Sequence, residues 1–169
     1  MSKPMNILTL PGLIDPHVHL RDLGQTKKED FSDARVEAVI KTASVTTDND
    51  KRDNHLRSDE FFNAEKYPEM VFKSTSMEKT GKDTYKISGL LTIRDSTKPV
   101  VLDAKLKGRV EAWGTSTVGF KATTTINRFD FGVRWDEKMD TGDLIVGRGV
   151  EVTLLMEMSK QKKEPDSGK

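Results

Sequence analysis

Apolar residues recur at every second position along most of the chain from Ala34 onward. This spacing is typical of β-strands that have one face in a core and the other in water, because successive side chains of a strand point to opposite faces. The pattern is strictest between Tyr85 and Ile93. The segments that show it span residues 34–46, 70–78, 85–93, 100–106, 118–126 and 150–158.

Short turns separate these predicted strands, and no long segment with helical spacing lies between them. Turn-forming residues cluster at 78–83, around Gly81, and again at 95–99. Strands joined in this way form an antiparallel meander, because a parallel sheet needs long crossover connections. Closing the meander into a barrel removes its open edges. We therefore predict an all-β fold, an antiparallel β-barrel.

Apolar and polar residues do not alternate in two segments. Residues 48–63 carry many charges of both signs, and we predict a long loop there, with one helical turn at 55–62, that crosses one end of the barrel. Residues 161–169 contain no large apolar side chain and are predicted to form a disordered tail.

The composition excludes several classes of partner and chemistry. Lys and Arg number 28 against 27 Asp and Glu, so the net charge of +1 gives no general attraction to nucleic acid. The chain has no cysteine, which excludes disulfides and thiol chemistry. It lacks the roughly 20 consecutive apolar residues that span a membrane, and its first residues do not resemble a secretory signal. We expect a cytoplasmic protein that is not membrane-spanning.

Three segments of the sequence resemble a known protein family. They are TDNDKRDNHLRSDEFFNAEKYPEMVFKST at 47–75, SGLLTIRDSTKPVVLDAKL at 88–106 and INRFDFGVRW at 126–135. Together they resemble the YceI-like, polyisoprenoid-binding family over about residues 29–160. The resemblance implies a lipocalin-like barrel whose apolar cavity binds a long-chain isoprenoid or similar lipid, with no required cofactor. We find no Ser/His/Asp arrangement and no Gly-rich phosphate loop, so we predict a protein that is not an enzyme.

The resemblance also suggests which side chains contact the ligand. The predicted cavity lining is Phe72, Ile87, Leu91, Leu102, Leu106, Val118, Phe120, Ile126 and Trp135. All of these could equally be ordinary core residues that contact no ligand. Trp135 could cover the end of the cavity or hold a corner of the fold in place. At the rim, Arg52, His55 and Arg57 are predicted to contact a polar or pyrophosphate head group, because an arginine fork suits phosphate oxygens. The alternative for the rim residues is a structural latch or a solvated loop.

The start of the chain resembles a different family. LPGLIDPHVHLRDLGQTKKEDF, within about residues 5–31, resembles the opening of a dihydroorotase and stands where the YceI-like family has its first strands. His17 and His19 would point to one face of a strand and could bind adventitious zinc, although a hydrolytic centre needs at least three protein ligands. Two alternatives to lipid binding follow: an artificial or recombinant chimera with no natural function, and a metal-binding amidohydrolase remnant.

Missing front strands would leave a sheet edge open. A second copy of the chain could cover that edge, which predicts a homodimer formed by strand pairing or swapping. Residues 5–13 could instead supply a replacement strand, but Pro11 allows only an edge or end position.

Overall fold

The computed structural model describes residues 31–32, 34–112, 115–138 and 146–161. Within this part of the chain the backbone forms strands, one α-helix and two 3-10 helices. The strands and the helix are β1 (Glu37–Lys41), α1 (Asp50–Arg57), β2 (Glu69–Lys79), β3 (Thr84–Ile93), β4 (Ser96–Ala112), β5 (Thr115–Asn127) and β6 (Gly149–Gln161). The 3-10 helices span Thr42–Ser44 and Arg128–Phe131.

The strands form one antiparallel sheet in which neighbours in space are also neighbours in sequence. Phe72 of β2 lies opposite Ala38 of β1 and Leu91 of β3, so apolar side chains continue across the strands on one face. The sheet curves around this face into a half-barrel. The prediction of an all-β, antiparallel meander is confirmed. Within the described residues, β1 and β6 each pair with one neighbour only.

Two clusters of buried side chains fill the concave face. The first core cluster draws on every strand and consists of Phe31, Ala34, Val36, Ala38, Phe72, Met77, Tyr85, Ile87, Leu102, Ala104, Val118, Phe120, Ala122, Leu154 and Met156. The second core cluster lies beside α1 and consists of Val45, Leu56, Phe61, Met70, Ile93, Ile126, Phe131 and Val133. We call the end of the half-barrel at the second cluster the α1 end.

β1 is shorter than the strand predicted at 34–46. It ends at Lys41, where the chain enters a 3-10 helix and the Ser44 hydroxyl donates to the Lys41 carbonyl at 2.7 Å. Such local side-chain bonds compete with strand pairing. Before β1, the Val36 amide donates to Ser74 Oγ at 2.7 Å instead of to a strand carbonyl.

The helical turn predicted at 55–62 was placed wrongly. The helix spans 50–57 because Asn49 caps it, its side-chain oxygen accepting from the Arg52 amide at 3.0 Å. Asp50 and Asp53 in the first turn add a favourable interaction with the helix dipole. The charges that suggested a loop are in fact signals for the start of a helix.

The turn predicted at 95–99 is also wrong. The turn residues are Arg94 and Asp95, and β4 begins directly after them. Pro99 therefore lies inside a strand, where it cannot donate a hydrogen bond to a neighbour. It is tolerated because β4 pairs with β5 only from Asp103 onward, so at Pro99 the strand has one neighbour.

β4 continues past Gly108, before which the predicted strand ended. A bulge between Leu106 and Gly108 adds one residue to β4 and shifts the register with β5. Beyond the bulge Arg109 lies opposite the buried Val118, and Val110 faces outward with 63% of its surface exposed. Simple alternation fails here because one extra residue moves every later side chain to the other face.

The last strand overlaps the tail predicted at 161–169 by one residue. β6 continues to Gln161, the first residue of the predicted tail, because its backbone pairs with β5 there. Residues 162–169 lie outside the described residues. So do residues 1–30, which contain His17, His19 and the predicted replacement strand.

Candidate functional site

A row of apolar side chains on the concave face is only half buried. Leu91 of β3, Val100 of β4 and Val152 of β6 each pack against both core clusters, so they lie where the clusters meet. Their neighbours on the same face, such as Ile87 and Leu102, are fully buried. We call these three residues the apolar row. An apolar ligand placed there would remove the exposed part of the row from water.

The predicted lining residues divide into two groups. Leu91, Leu106 and Trp135 are half buried and pack against the core clusters. The others are packed inside the core clusters: Phe72, Ile87, Leu102, Val118, Phe120 and Ile126. Val100 and Val152 were missing from the predicted lining. Their inward alternation was visible in the sequence, but Val100 directly follows a proline that suggested a turn.

The arginines predicted at the rim form hydrogen bonds within the chain. Arg52 donates from Nε to Thr47 Oγ1 at 2.7 Å and from Nη2 to the Thr47 carbonyl at 2.8 Å. Arg57 donates from Nε to the Ala43 carbonyl at 3.0 Å and from Nη2 to the Val45 carbonyl at 2.5 Å. These bonds hold the segment before α1 against the helix. They favour the latch interpretation of this segment.

His55 lies on the same helix but contacts different groups. Its Nε2 is 2.5 Å from Glu60 Oε2, and its ring packs edge to face against Phe61 and Trp135, with centroids 5.0 and 5.3 Å away. The rings of Phe61 and Trp135 lie 5.3 Å apart. Trp135 is therefore brought together with His55 at the α1 end, whereas the functional groups of Arg52 and Arg57 do not converge on it.

Two further arginines, absent from the predicted site, close the α1 end. Arg128 is buried and donates from all three guanidinium nitrogens, to the carbonyls of Gly147 (2.9 Å), Val133 (2.8 Å) and Val146 (2.9 Å). Burial lowers the pKa of Arg128, opposed by the nearby negative charge of Asp136.

Arg94 connects three segments at the same end. Its Nη1 donates to the carbonyls of Phe61 (2.8 Å), Asp59 (3.3 Å) and Gly132 (3.3 Å). Its guanidinium also lies 5.5 Å from the ring of Tyr67. The α1 end is thus closed by apolar packing and by arginine bonds to backbone carbonyls.

Asp53 is a buried carboxylate within this latch. The Thr47 hydroxyl donates to Asp53 Oδ1 at 2.5 Å, and this bond lowers the pKa of Asp53 below its ordinary value of 3.8, opposed by burial. The Thr47 amide, Thr46 and the charge of Arg57 lower the pKa of this carboxyl further. The ionised form of Asp53 therefore stabilises the fold.

Replacing Asp53 with asparagine is expected to destabilise the protein near neutral pH and to have less effect in acid. A carboxyl whose pKa is lowered by folding contributes stability above its unfolded pKa, and this contribution is lost as the pH falls through the folded pKa. Urea unfolding of wild type and D53N at about pH 7 and about pH 2.5 measures the difference. Asp59→Asn, on the exposed surface nearby, is the control. Equal stability of wild type and D53N at neutral pH would contradict this role.

The described residues contain no group of three or more His, Asp or Glu side chains arranged to hold a metal ion. The predicted zinc residues His17 and His19 lie outside the described residues. No helix in the described part of the chain is long and apolar enough to cross a membrane.

Known proteins share both the sequence and the fold. A model of the YceI-like domain matches residues 17–158. A UPF0312 protein of Pectobacterium atrosepticum is 42% identical over 129 residues, which are 76% of this chain and 64% of that protein. One of Pectobacterium carotovorum is 47% identical over 103 residues, 60% of this chain and 53% of that protein. The chain thus spans 53–64% of the length of these curated relatives.

Solved structures of other proteins have a similar fold. The crystal structure of the Campylobacter jejuni YceI protein has a TM-score of 0.74 at 28% identity, covering 96% of this chain and 91% of that one. The structure of Burkholderia cenocepacia BcnA has a TM-score of 0.63 at 23% identity, covering 75% of this chain and 76% of that one, and shows the shared fold alone.

These matches also bear on the start of the chain. The family match begins at His17, before the start predicted at residue 29 and within the segment that resembles a dihydroorotase. Neither this match nor the relatives support a dihydroorotase-like start, an amidohydrolase remnant or a chimera. The family match covers most of the sequence and includes the three segments, 47–75, 88–106 and 126–135, on which the resemblance was based. The chain belongs to the YceI-like domain family.

Proposed function

We propose that this protein binds a long-chain isoprenoid or similar lipid along the apolar row of its concave face, without changing it chemically. The observation that carries the proposal is the half-buried state of Leu91, Val100 and Val152, which lie between two packed clusters. A globular core normally buries such inward-facing side chains completely. Side chains left partly in water on a concave apolar face are what a ligand of matching shape would cover.

The chemistry of this face supports binding rather than catalysis. Covering apolar surface contributes about 25 cal/mol per Å² and needs no precisely placed polar group. The buried side chains next to the row are Ile87 on β3, Leu102 on β4 and Leu154 on β6, and all three are apolar. They offer neither a nucleophile nor a general base.

Replacing Val100 with tryptophan is expected to block the site. The larger side chain would occupy the space beside the row, so the affinity for a neutral isoprenoid should fall by at least about tenfold. The measurement is the displacement of the neutral fluorescent probe N-phenyl-1-naphthylamine by geranylgeraniol. Circular dichroism and urea unfolding check that the variant remains folded.

The matched control for this variant is Val101→Trp. Val101 is the next residue of β4, but it faces the convex side and is 45% exposed. V101W should bind like wild type. If V100W and V101W have the same affinity as wild type, the ligand does not lie along the apolar row.

A further inference from the structure

Lysines on the convex face of β1, β2 and β3 lie directly opposite acidic residues of a neighbouring strand. Two of the facing pairs are also ion pairs, with N–O distances of 3.2 Å for Lys73 and Glu37 and 3.0 Å for Lys86 and Asp103. Opposite charges that face each other across two strands stabilise a sheet. The facing pairs are Lys41 with Glu69, Lys73 with Glu37, and Lys86 with both Glu78 and Asp103.

The pairing of β4 with β5 departs from this arrangement. Lys105 of β4 lies directly opposite Lys121 of β5 on the same convex face. Neither lysine forms an ion pair or a hydrogen bond with the residues that the structure describes. Like charges that face each other destabilise a sheet. Both side chains are exposed, so packing in the core does not explain this lysine pair.

Two apolar side chains near the lysine pair are largely in water. Leu155 of β6 lies opposite Lys121, on the side away from Lys105, and is 69% exposed. Val110 of β4 faces outward beyond the bulge and is 63% exposed. Within the described ranges no other large hydrophobic residue is as exposed as these two. The convex face therefore combines free positive charge and open apolar surface in one place.

Two glycines leave open backbone between these groups. Gly108 of β4 lies opposite Gly119 of β5, and a Cβ atom on either glycine would have no neighbour within 4 Å. On β4, Lys105 precedes this glycine pair and Val110 follows it. The result is a shallow, open surface bordered by cations and apolar side chains. We call it the convex patch, which consists of Lys105, Gly108, Val110, Gly119, Lys121 and Leu155.

We propose that the convex patch docks on the surface of an anionic lipid bilayer, with Leu155 and Val110 entering the head-group region and both lysines beside lipid phosphates. Burial of apolar side chains and attraction between lysines and anionic lipids add to each other in such binding. A convex face fits a flat, deformable bilayer, whereas a folded protein partner would need a matching concave surface. Docking here leaves the concave face uncovered, so the proposal does not depend on ligand binding along the apolar row.

Cosedimentation of the full chain with lipid vesicles tests the proposal. Wild type should bind vesicles of phosphatidylglycerol and phosphatidylcholine in equal parts at least about tenfold more tightly than phosphatidylcholine vesicles, and less tightly as salt is raised. The double variant K105Q/K121Q should lose at least about tenfold in affinity for the anionic vesicles. L155S should lose about five- to tenfold, because less apolar surface enters the interface.

Controls of the same chemistry lie elsewhere on the convex face. K41Q/K73Q removes two lysines that face glutamates, and L90S removes a leucine that is 46% exposed on β3. Both should bind the anionic vesicles like wild type. V100W, which is altered on the concave face, should also bind them like wild type, so a failure of the proposed function would leave this result unchanged. Circular dichroism checks that each variant is folded.

Three outcomes would overturn docking on a bilayer. The first is a wild-type protein that binds the anionic vesicles no better than the neutral ones. The second is equal binding of the anionic vesicles by wild type and K105Q/K121Q. The third is a loss in K105Q/K121Q without any loss in L155S, together with binding of soluble polyglutamate as tight as that of vesicles. In that case the patch recognises an acidic polypeptide by charge alone.

Discussion

Replacing Arg128 with methionine is expected to lower the free energy of unfolding by at least about 3 kcal/mol. Arg128 is only 5% exposed, and its guanidinium donates to three backbone carbonyls. Methionine fills similar space but donates nothing, so the three carbonyls would lose the donors of Arg128, and the bond to the Val133 carbonyl is fully buried. Two of them belong to Val133 and Val146, which pack in or against the second core cluster. The loss should therefore loosen the α1 end as well as lower stability.

Urea unfolding monitored by tryptophan fluorescence measures this effect. Arg134→Met is the matched control, because Arg134 lies in the same corner of the fold but is exposed. R134M should change the free energy of unfolding by no more than about 0.5 kcal/mol. A loss in R128M no larger than that in R134M would show that the carbonyl bonds of Arg128 do not hold this end together.

Replacing Gly89 with alanine is expected to cost about 2–3 kcal/mol, although the change adds a single methyl group. A Cβ atom at this position would lie 2.5 Å from the Lys73 carbonyl oxygen and 2.6 Å from two atoms of the Phe72 ring. The carbonyl belongs to the neighbouring strand and cannot move without disturbing the pairing of β2 and β3. The Phe72 ring, packed over Gly89, would also be displaced from the first core cluster.

Gly119→Ala is the control for this substitution. Gly119 also lies in a strand, but a Cβ atom there would have no neighbour within 4 Å. Thermal and urea unfolding should therefore separate the two variants clearly. If G89A is as stable as G119A, then β2 and β3 are not packed as closely as the structure shows.

Most strands could be predicted from the sequence because each has one buried and one exposed face. The errors have physical causes that alternation does not report. Pro99 suggested a turn, yet it lies in β4 where that strand pairs on one side. The bulge near Gly108 ended the apparent alternation, although pairing with β5 continues. The first turn of α1 was predicted as a loop because its capping residue and acidic residues are polar, and polar residues are also typical of loops.

The candidate site was harder to predict than the fold. Sequence alternation identifies inward side chains, but it does not distinguish the fully buried Leu102 from the half-buried Val100, since both are apolar and face inward. Arg52 and Arg57 were predicted to contact a head group, with a structural latch or a solvated loop as alternatives. The sequence did not decide between these, because their donors bond to backbone carbonyls that only the folded chain brings near.

Several expectations from the sequence remain predictions. Cytoplasmic location and the absence of nucleic-acid partners are among them. Pairing of two copies through an open edge also stays a prediction, for which β1 and β6 are the strands that pair with one neighbour in the described part of the chain. Size-exclusion chromatography with light scattering would detect such a dimer.

Native mass spectrometry tests the central claim, lipid binding along the apolar row, most directly. The protein is incubated with a bacterial lipid extract, re-isolated, and weighed before and after extraction with organic solvent. We predict a complex of one protein with one apolar molecule that the solvent releases unchanged, and no such complex for V100W. A wild-type spectrum showing only the mass of the protein, or the same complex in V100W, would contradict the claim.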